Sequence, residues 1–191
     1  MKKLLLIVLW FALAGIAVAR PMPYALDAAQ SVVGFDVGFG EDRITGTMGV
    51  RDADIAIDFN RLENSRIDVS IDVAAARASF PFATQAMLGP KVLAAAEHPT
   101  INFVSRTVRP TADGARIEGD ITIRGVTQPI ALDAGLYRQQ GAAPDDLSEL
   151  WIRLSGTLSR RAFGATGWDN MVGDEVGLRI LARMVRASAV P

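Results

Sequence analysis

The chain of 191 residues holds one histidine and no cysteine, so few of its side chains could do covalent or acid–base chemistry. Without a thiol there is no cysteine nucleophile, disulfide, iron–sulfur cluster or thiolate zinc site. A Ser-His-Asp relay or a histidine-based metal site would rest on His98 alone. His98 lies in AEHPTINF, between an Ala-rich stretch and Pro99, which reads as the end of a helix rather than a general base. Asp174 and Glu175 are adjacent carboxylates at a strand entry, where neighbouring side chains point to opposite faces, so they read as turn and salt-bridge residues. Asp52, Asp54 and Asp58 have an alternating spacing that suggests calcium. A calcium loop needs a glycine at its sixth position and a distal glutamate in register; neither is there, and the three read as a solvated strand edge. Gly38-Phe39-Gly40 looks like half a phosphate loop, yet it follows a strand without opening a helix and reads as a hairpin turn with Glu41-Asp42. Arg160-Arg161 could hold an anion, but an isolated basic pair reads as a surface feature. No metal site and no catalytic residue are assigned.

The elements around these residues carry a stronger signal, with a period of two. Val33, Phe35, Val37 and Phe39 share one strand face, and Ile44, Gly46, Met48 and Val50 another. Ile55, Ile57 and Phe59 follow, then Ile67, Val69, Ile71 and Val73 against Asp68, Ser70 and Asp72. INFVSRTV is less regular, led by Ile101 and Phe103. Ile117, Ile121 and Ile123 come next, then Ile130, Leu132 and Leu136. Leu150, Ile152, Leu154 and Leu158 precede the last set, Val176, Leu178, Ile180 and Met184. Each is a strand with one dry and one wet face. About nine strands are separated by turn-like GED, NRLENS, TADG and QQGAAPDD. The exception is Phe80 to His98, Ala-rich and broken at Gly89-Pro90, which predicts one or two short helices. Many antiparallel strands with one helical interruption predict an all-β barrel or sandwich, and closure removes the open edges. An outer-membrane barrel would need aromatic girdles, which the chain lacks. Periodicity does not choose between a lumen filled by side chains and one that holds a small ligand.

Residues 1–19 read differently. Lys2 and Lys3 lead an apolar run from Leu4 that closes on Ala17-Val18-Ala19, the pattern of a cleavable secretory leader with cleavage after Ala19. The run is shorter than the roughly 20 residues of a spanning helix, so stable membrane insertion is not expected. The remaining domain, residues 20–191, carries 18 Lys+Arg against 21 Asp+Glu, with no basic surplus for nucleic acid. Export predicts a periplasmic, secreted protein.

Alternation nominates Phe35, Val37, Phe39, Met48, Phe103, Ile121, Ile123, Leu132, Leu154 and Ile180 to line a lumen. The Gly-rich RAFGATGWDNMVGDE adds Phe163, Trp168 and Met171 on a segment whose composition predicts mobility. The helical insertion adds Phe80, Phe82, Met87, Leu88 and Leu93. These two segments are the expected mouth and lid.

The order and spacing of YALDAAQSVVGFDV, HPTINF, GDITIRGVTQPIAL, LSRRAFG and VGDEVGLRI resemble the YceI-like family of polyisoprenoid-binding proteins, over Tyr24 to Val185. Ile121 to Pro129 is the most specific part of the resemblance and Val172 to Val176 the next. The resemblance implies an extended eight-stranded lipocalin-like barrel and a non-catalytic periplasmic carrier of a long hydrophobic chain, polyisoprenoid or isoprenoid quinone. It implies no cofactor beyond that ligand and permits a homodimer. The chain departs from the family pattern at Ala162, where members carry Asp in an R-x-D-F-G segment, and in the mostly apolar insertion before His98. Polar head-group contacts therefore do not carry over. Two other functions stay open on the residues: a structural or stress-response protein that meets a periplasmic partner, and a lipid-modifying enzyme using His98 or Asp174 as acid–base group.

Overall fold

A computed structural model describes residues 21–137 and 146–187. The leader read from residues 1–19, most of the QQGAAPDD turn and the last residues of the domain lie outside the described residues. Nine strands follow one another: β1 (Met22–Leu26), β2 (Val32–Phe39), β3 (Asp42–Ile57), β4 (Arg66–Ala78), β5 (Thr100–Thr111), β6 (Gly114–Ile123), β7 (Val126–Tyr137), β8 (Glu149–Ser159) and β9 (Val172–Arg186). Between β4 and β5 runs one α-helix, α1 (Pro81–Leu88), started by a proline in its first turn and stopped at Gly89-Pro90. Strands β2 to β9 form an antiparallel meander, and β9 pairs back onto β2 to close a barrel of eight staves. Strand β1 has no stave of its own. It pairs with the end of β3 at Tyr24↔Ile55 and with the end of β9 at Leu26↔Met184. Thus β1 and β2 lie end to end in one stave, interrupted at Asp27 to Ser31.

Two of the expected strands, RITGTMGV and DIAIDF, are one 16-residue strand, β3. The pairing with β4 shifts register between Val50 and Asp52, and this bulge resets the inward phase from even residues (Ile44, Met48, Val50) to odd ones (Ile55, Ile57). One strand therefore reads as two. A second bulge, between Ser105 and Thr107, moves the inward phase of β5 from Ile101 and Phe103 to Val108, which accounts for the irregular INFVSRTV. Strand β1 is too short for periodicity to reveal.

The apolar face of every long strand turns inward and the charged face outward, the reverse of a lipid-facing barrel. Among the described residues no helix is long and apolar enough to cross a membrane. The meander puts the β2–β3, β4–β5, β6–β7 and β8–β9 connections at one end, where hydrogen bonds from Gly40 N–H to Met171 O and from Gly167 N–H to Lys91 O join them. The other end holds β1, the β3–β4 turn and a cluster of Tyr24, Ile55, Leu150 and Met184.

Candidate functional site: the barrel lumen

The lumen is open. A cavity of about 540 Å³ runs through the barrel, inside the roughly 300–1,000 Å³ range of sites that take small molecules. Large inward side chains leave this space because the wall is thinned beside them. Phe35 lies over Gly46, where a Cβ would come within 2.3 Å of its ring, and Phe103 lies over Gly119, where the distance would be 2.7 Å. The rings lie along the wall instead of filling the centre. Gly46 shares the inward phase of Ile44 and Met48, so a glycine in register opposite a phenylalanine was the available sequence signal.

The cavity wall takes in Phe35, Val37, Phe39, Met48, Phe103, Ile121, Ile123, Leu132, Leu154 and Ile180 from the strands. Phe82 and Met87 of the insertion and Phe163, Trp168 and Met171 of the β8–β9 connection also line it. Leu88 does not. On α1 the cavity-lining residues Phe82, Ala83, Ala86 and Met87 form one stripe at helical spacing, and Leu88 falls outside it, packed against the core. Phe80 and Leu93 line the cavity as well.

The β8–β9 connection, expected to be mobile, is fastened by Arg160. Far from being a surface residue, Arg160 is only 6% exposed. Its Nε donates to Gly173 O at 2.7 Å, one Nη to the carbonyls of Ala165 and Gly167, and the other to Val172 O at 2.9 Å and Asp169 Oδ1 at 2.8 Å. All five guanidinium N–H groups are thereby engaged. The stem of Arg160 reaches the cavity wall, but no donor is left for a ligand. The same loop holds Trp168 in the left-handed region at φ 55°, where its carbonyl accepts from Met171 and Val172 N–H. Arg124, at φ 53° in a two-residue turn with Gly125, donates one Nη to Pro90 O and Val92 O and ties the insertion to the β6–β7 hairpin. Sequence reading took Arg160 for a surface residue and passed over Arg124.

The other candidates have structural partners. His98 is no part of the cavity wall; its ring stacks beside Gly125, 3.3 Å from where a Cβ would stand. Asp58 is 2% exposed rather than solvated. It accepts from Asn64 Nδ2 at 3.1 Å and from the N–H groups of Asn60 and Arg61 at 3.0 Å, closing the β3–β4 turn. The Asn64 amide first, then those N–H groups, hold its carboxyl below the usual range against partial burial. Asp52 and Asp54 are exposed. Asp174 accepts from Arg161 N–H at 2.9 Å and Ser159 Oγ at 2.8 Å. The Arg161 N–H above all keeps its carboxyl low. Gly40-Glu41 is the expected hairpin turn. Among the described residues no group of three or more acidic or histidine side chains could hold a metal ion. None has an unpartnered buried polar side-chain atom either, so the lumen offers apolar contact and little else.

The geometry has known counterparts. A Burkholderia cenocepacia protein, BcnA, superposes with a TM-score of 0.72 at 17% identity, over 83% of this chain and 99% of that one. A Campylobacter jejuni YceI protein gives 0.62 at 18%, over 98% of this chain and all of that one. A polyisoprenoid-binding domain from Saccharophagus degradans, implicated in plant cell wall breakdown, gives 0.63 at 10%, over 87% and 99%. In sequence the chain is 25% identical over 174 residues to a UPF0312 protein of Pectobacterium atrosepticum, covering 91% of this chain and 90% of that protein. It is 27% identical over 127 residues to protein YceI of Escherichia coli, 66% of each. A family-wide profile, the YceI-like domain, matches residues 24–184. The closed barrel and that match together place the chain in the YceI-like domain family.

Proposed function

We propose that this barrel carries or stores a long hydrophobic chain, a polyisoprenoid or isoprenoid quinone, in its lumen and catalyses no reaction on it. One observation carries the reading: an open cavity of about 540 Å³ walled by Ile, Val, Leu, Phe and Met, whose one arginine has every donor engaged. Each CH₂ removed from water is worth about 0.8 kcal/mol, so a five-carbon unit costs on the order of 3–4 kcal/mol to expose. A dry tube offsets that cost by burial alone and selects for length and shape rather than head group. The Saccharophagus domain, described as polyisoprenoid-binding, supports the ligand class. The leader-like residues 1–19 support export to the periplasm, where such a chain would need a carrier between membranes.

The test is solvent extraction and native mass spectrometry of protein purified from its own or a related host. A co-purifying isoprenoid lipid of defined mass is expected. Repeated recovery of empty protein that also fails to take up an added polyprenol or quinone would overturn the reading.

A further inference from the structure

We infer that the α1 end of the barrel docks on a lipid bilayer with anionic head groups, so that the lumen opens onto the membrane. The inference deepens the carrier reading and rests on it, since it names where the cargo enters. Three cavity-lining residues at this end are also exposed: Phe82 at 66%, Met171 at 45% and Phe80 at 38%. They make an apolar rim continuous with the lumen, and Phe39 packs its ring 6.4 Å from that of Phe80. The 13 residues from Ala78 to Pro90, which contain α1, carry no charge, and the first charged residue on either side is basic: Arg77 and Lys91, both exposed. An uncharged aromatic segment bracketed by cations is the pattern of a helix that lies in the bilayer interface, with rings at the acyl boundary and cations among the phosphates. The exposed acids of this end, Glu41, Asp42, Glu97 and Asp169, lie on the neighbouring connections and outside this segment, and the opposite end has no such segment. Its exposed cavity-lining ring, Phe59, sits among Asp58, Arg61 and Glu63. A cargo insoluble in water has to leave one bilayer and enter another, and a rim that docks spares it the aqueous step.

The test is flotation of the chain beginning at Arg20, which holds every described residue, with vesicles of phosphatidylethanolamine and phosphatidylglycerol. The protein is expected to float. The pair Phe80→Ser and Phe82→Ser should lower the floated fraction at least about tenfold. Arg77→Gln with Lys91→Gln should lower it at low salt and flatten its salt dependence. Phe82 is mostly in solvent, so Phe82→Ser should keep its melting temperature, whereas the pair also loses the Phe39–Phe80 contact and should melt somewhat lower; if the pair does not fold, Phe82→Ser alone carries the test. Parent protein that stays with the unbound fraction, or a folded serine variant that floats as well as the parent, overturns docking. So does a Phe82-dependent dimer in sedimentation without vesicles, which would make a second copy the occupant of the rim. Leu154→Trp, placed between Ala134 and Ile180 in mid-wall, narrows the lumen and should still float. A parent lumen that is empty and takes up no added polyprenol or quinone, with flotation, removes the carrier reading alone, and a lipid-filled lumen without flotation removes docking alone.

Discussion

An arginine network organises each end of the barrel, and the two networks are built differently. At the α1 end Arg160 is buried and gives its whole guanidinium to one loop, four carbonyls and the Asp169 carboxylate. At the β1 end Arg183 is partly exposed and pairs with two carboxylates. It meets Asp27 at the break between β1 and β2, and grips Glu149 in a fork with Nε and Nη2 at 3.0 and 2.8 Å. It also stands 5.9 Å over the Trp151 ring. A carbonyl buried without a donor has nowhere to turn, whereas a carboxylate near the surface can go back to water. The α1 end is thus held mainly by backbone carbonyls, of which those on the buried Ala165 and Gly167 have no substitute, and the β1 end by carboxylates that solvent can take back. That is the difference expected between a loop that must shape the wall of a cavity and a seam that only has to close.

The largest effect follows at Arg160. Arg160→Met keeps the stem and strips five donors, leaving four carbonyls without their donor, two of them on the buried Ala165 and Gly167, while the exposed Asp169 keeps Arg161 and water. About 2–5 kcal/mol of stability should be lost through the carbonyls left without a donor, a fall in melting temperature on the order of 10 °C for a domain of this size. Arg160→Lys should recover little, because an ammonium has three donors where five are used. Trp168 should become more accessible to a quencher in both variants. A methionine variant that melts within about 2 °C of the parent would show that water or the backbone satisfies the loop unaided.

The strong contrast between wall and rim explains what could be read in the sequence. A strand that is dry on one face repeats every second residue, so lining positions such as Phe35, Leu132 and Ile180 stand out with no knowledge of the partner strand. The signal fails where the phase resets, at the bulges after Val50 and Ser105, because the register belongs to a pair of strands. It fails again for Leu88, where the stripe on a two-turn helix is too short to fix which side turns inward. Arg160 was illegible for a different reason. Four of its five acceptors are backbone carbonyls, which every residue has, so no side-chain type in RRAFGATGWDNMVG marks them. Glycines there suggested mobility, although they also let carbonyls converge on one cation. Openness of the lumen left one trace, Gly46 in the inward phase of its strand, but it depends on rings laid over Gly46 and Gly119 from neighbouring strands, a pairing that periodicity within one strand does not show.

A smaller effect is expected at the other end. Arg183→Met should cost well under what Arg160→Met costs, because Asp27 and Glu149 regain water. The backbone bond from Asp27 N–H to Arg183 O and that from Arg183 N–H to Ser31 Oγ, 3.0 Å, remain to hold the break between β1 and β2. Faster amide exchange should be confined to β1 and the end of β9, with the β4 to β7 amides unchanged. Equal losses in the two methionine variants would mean that burial of the acceptors does not set the difference between the ends.

The smallest effect is acid sensitivity, and two tryptophans separate the ends: Trp151 beside Glu149 and Arg183, Trp168 in the Arg160 loop. Burial raises Asp27, but Arg183 and the N–H groups of Gln30 and Ala29 outweigh it and hold the carboxyl below its ordinary 3.8. The Arg183 fork and then the Trp151 N–H hold Glu149 below its ordinary 4.5. Lowered carboxylates contribute stability above their unfolded values and lose it as pH falls through the folded ones, so the β1 end should loosen below about pH 4. Asp174 gives the α1 end an acid-labile contact of its own, but the four carbonyls on Arg160 do not titrate. With Trp168→Phe leaving Trp151 as reporter, emission should shift on acidification before any global unfolding. With Trp151→Phe leaving Trp168, it should hold until the barrel itself opens. Two reporters moving together would make the ends one cooperative unit, and the contrast between carbonyl and carboxylate partners would then govern total stability without deciding where the barrel first opens.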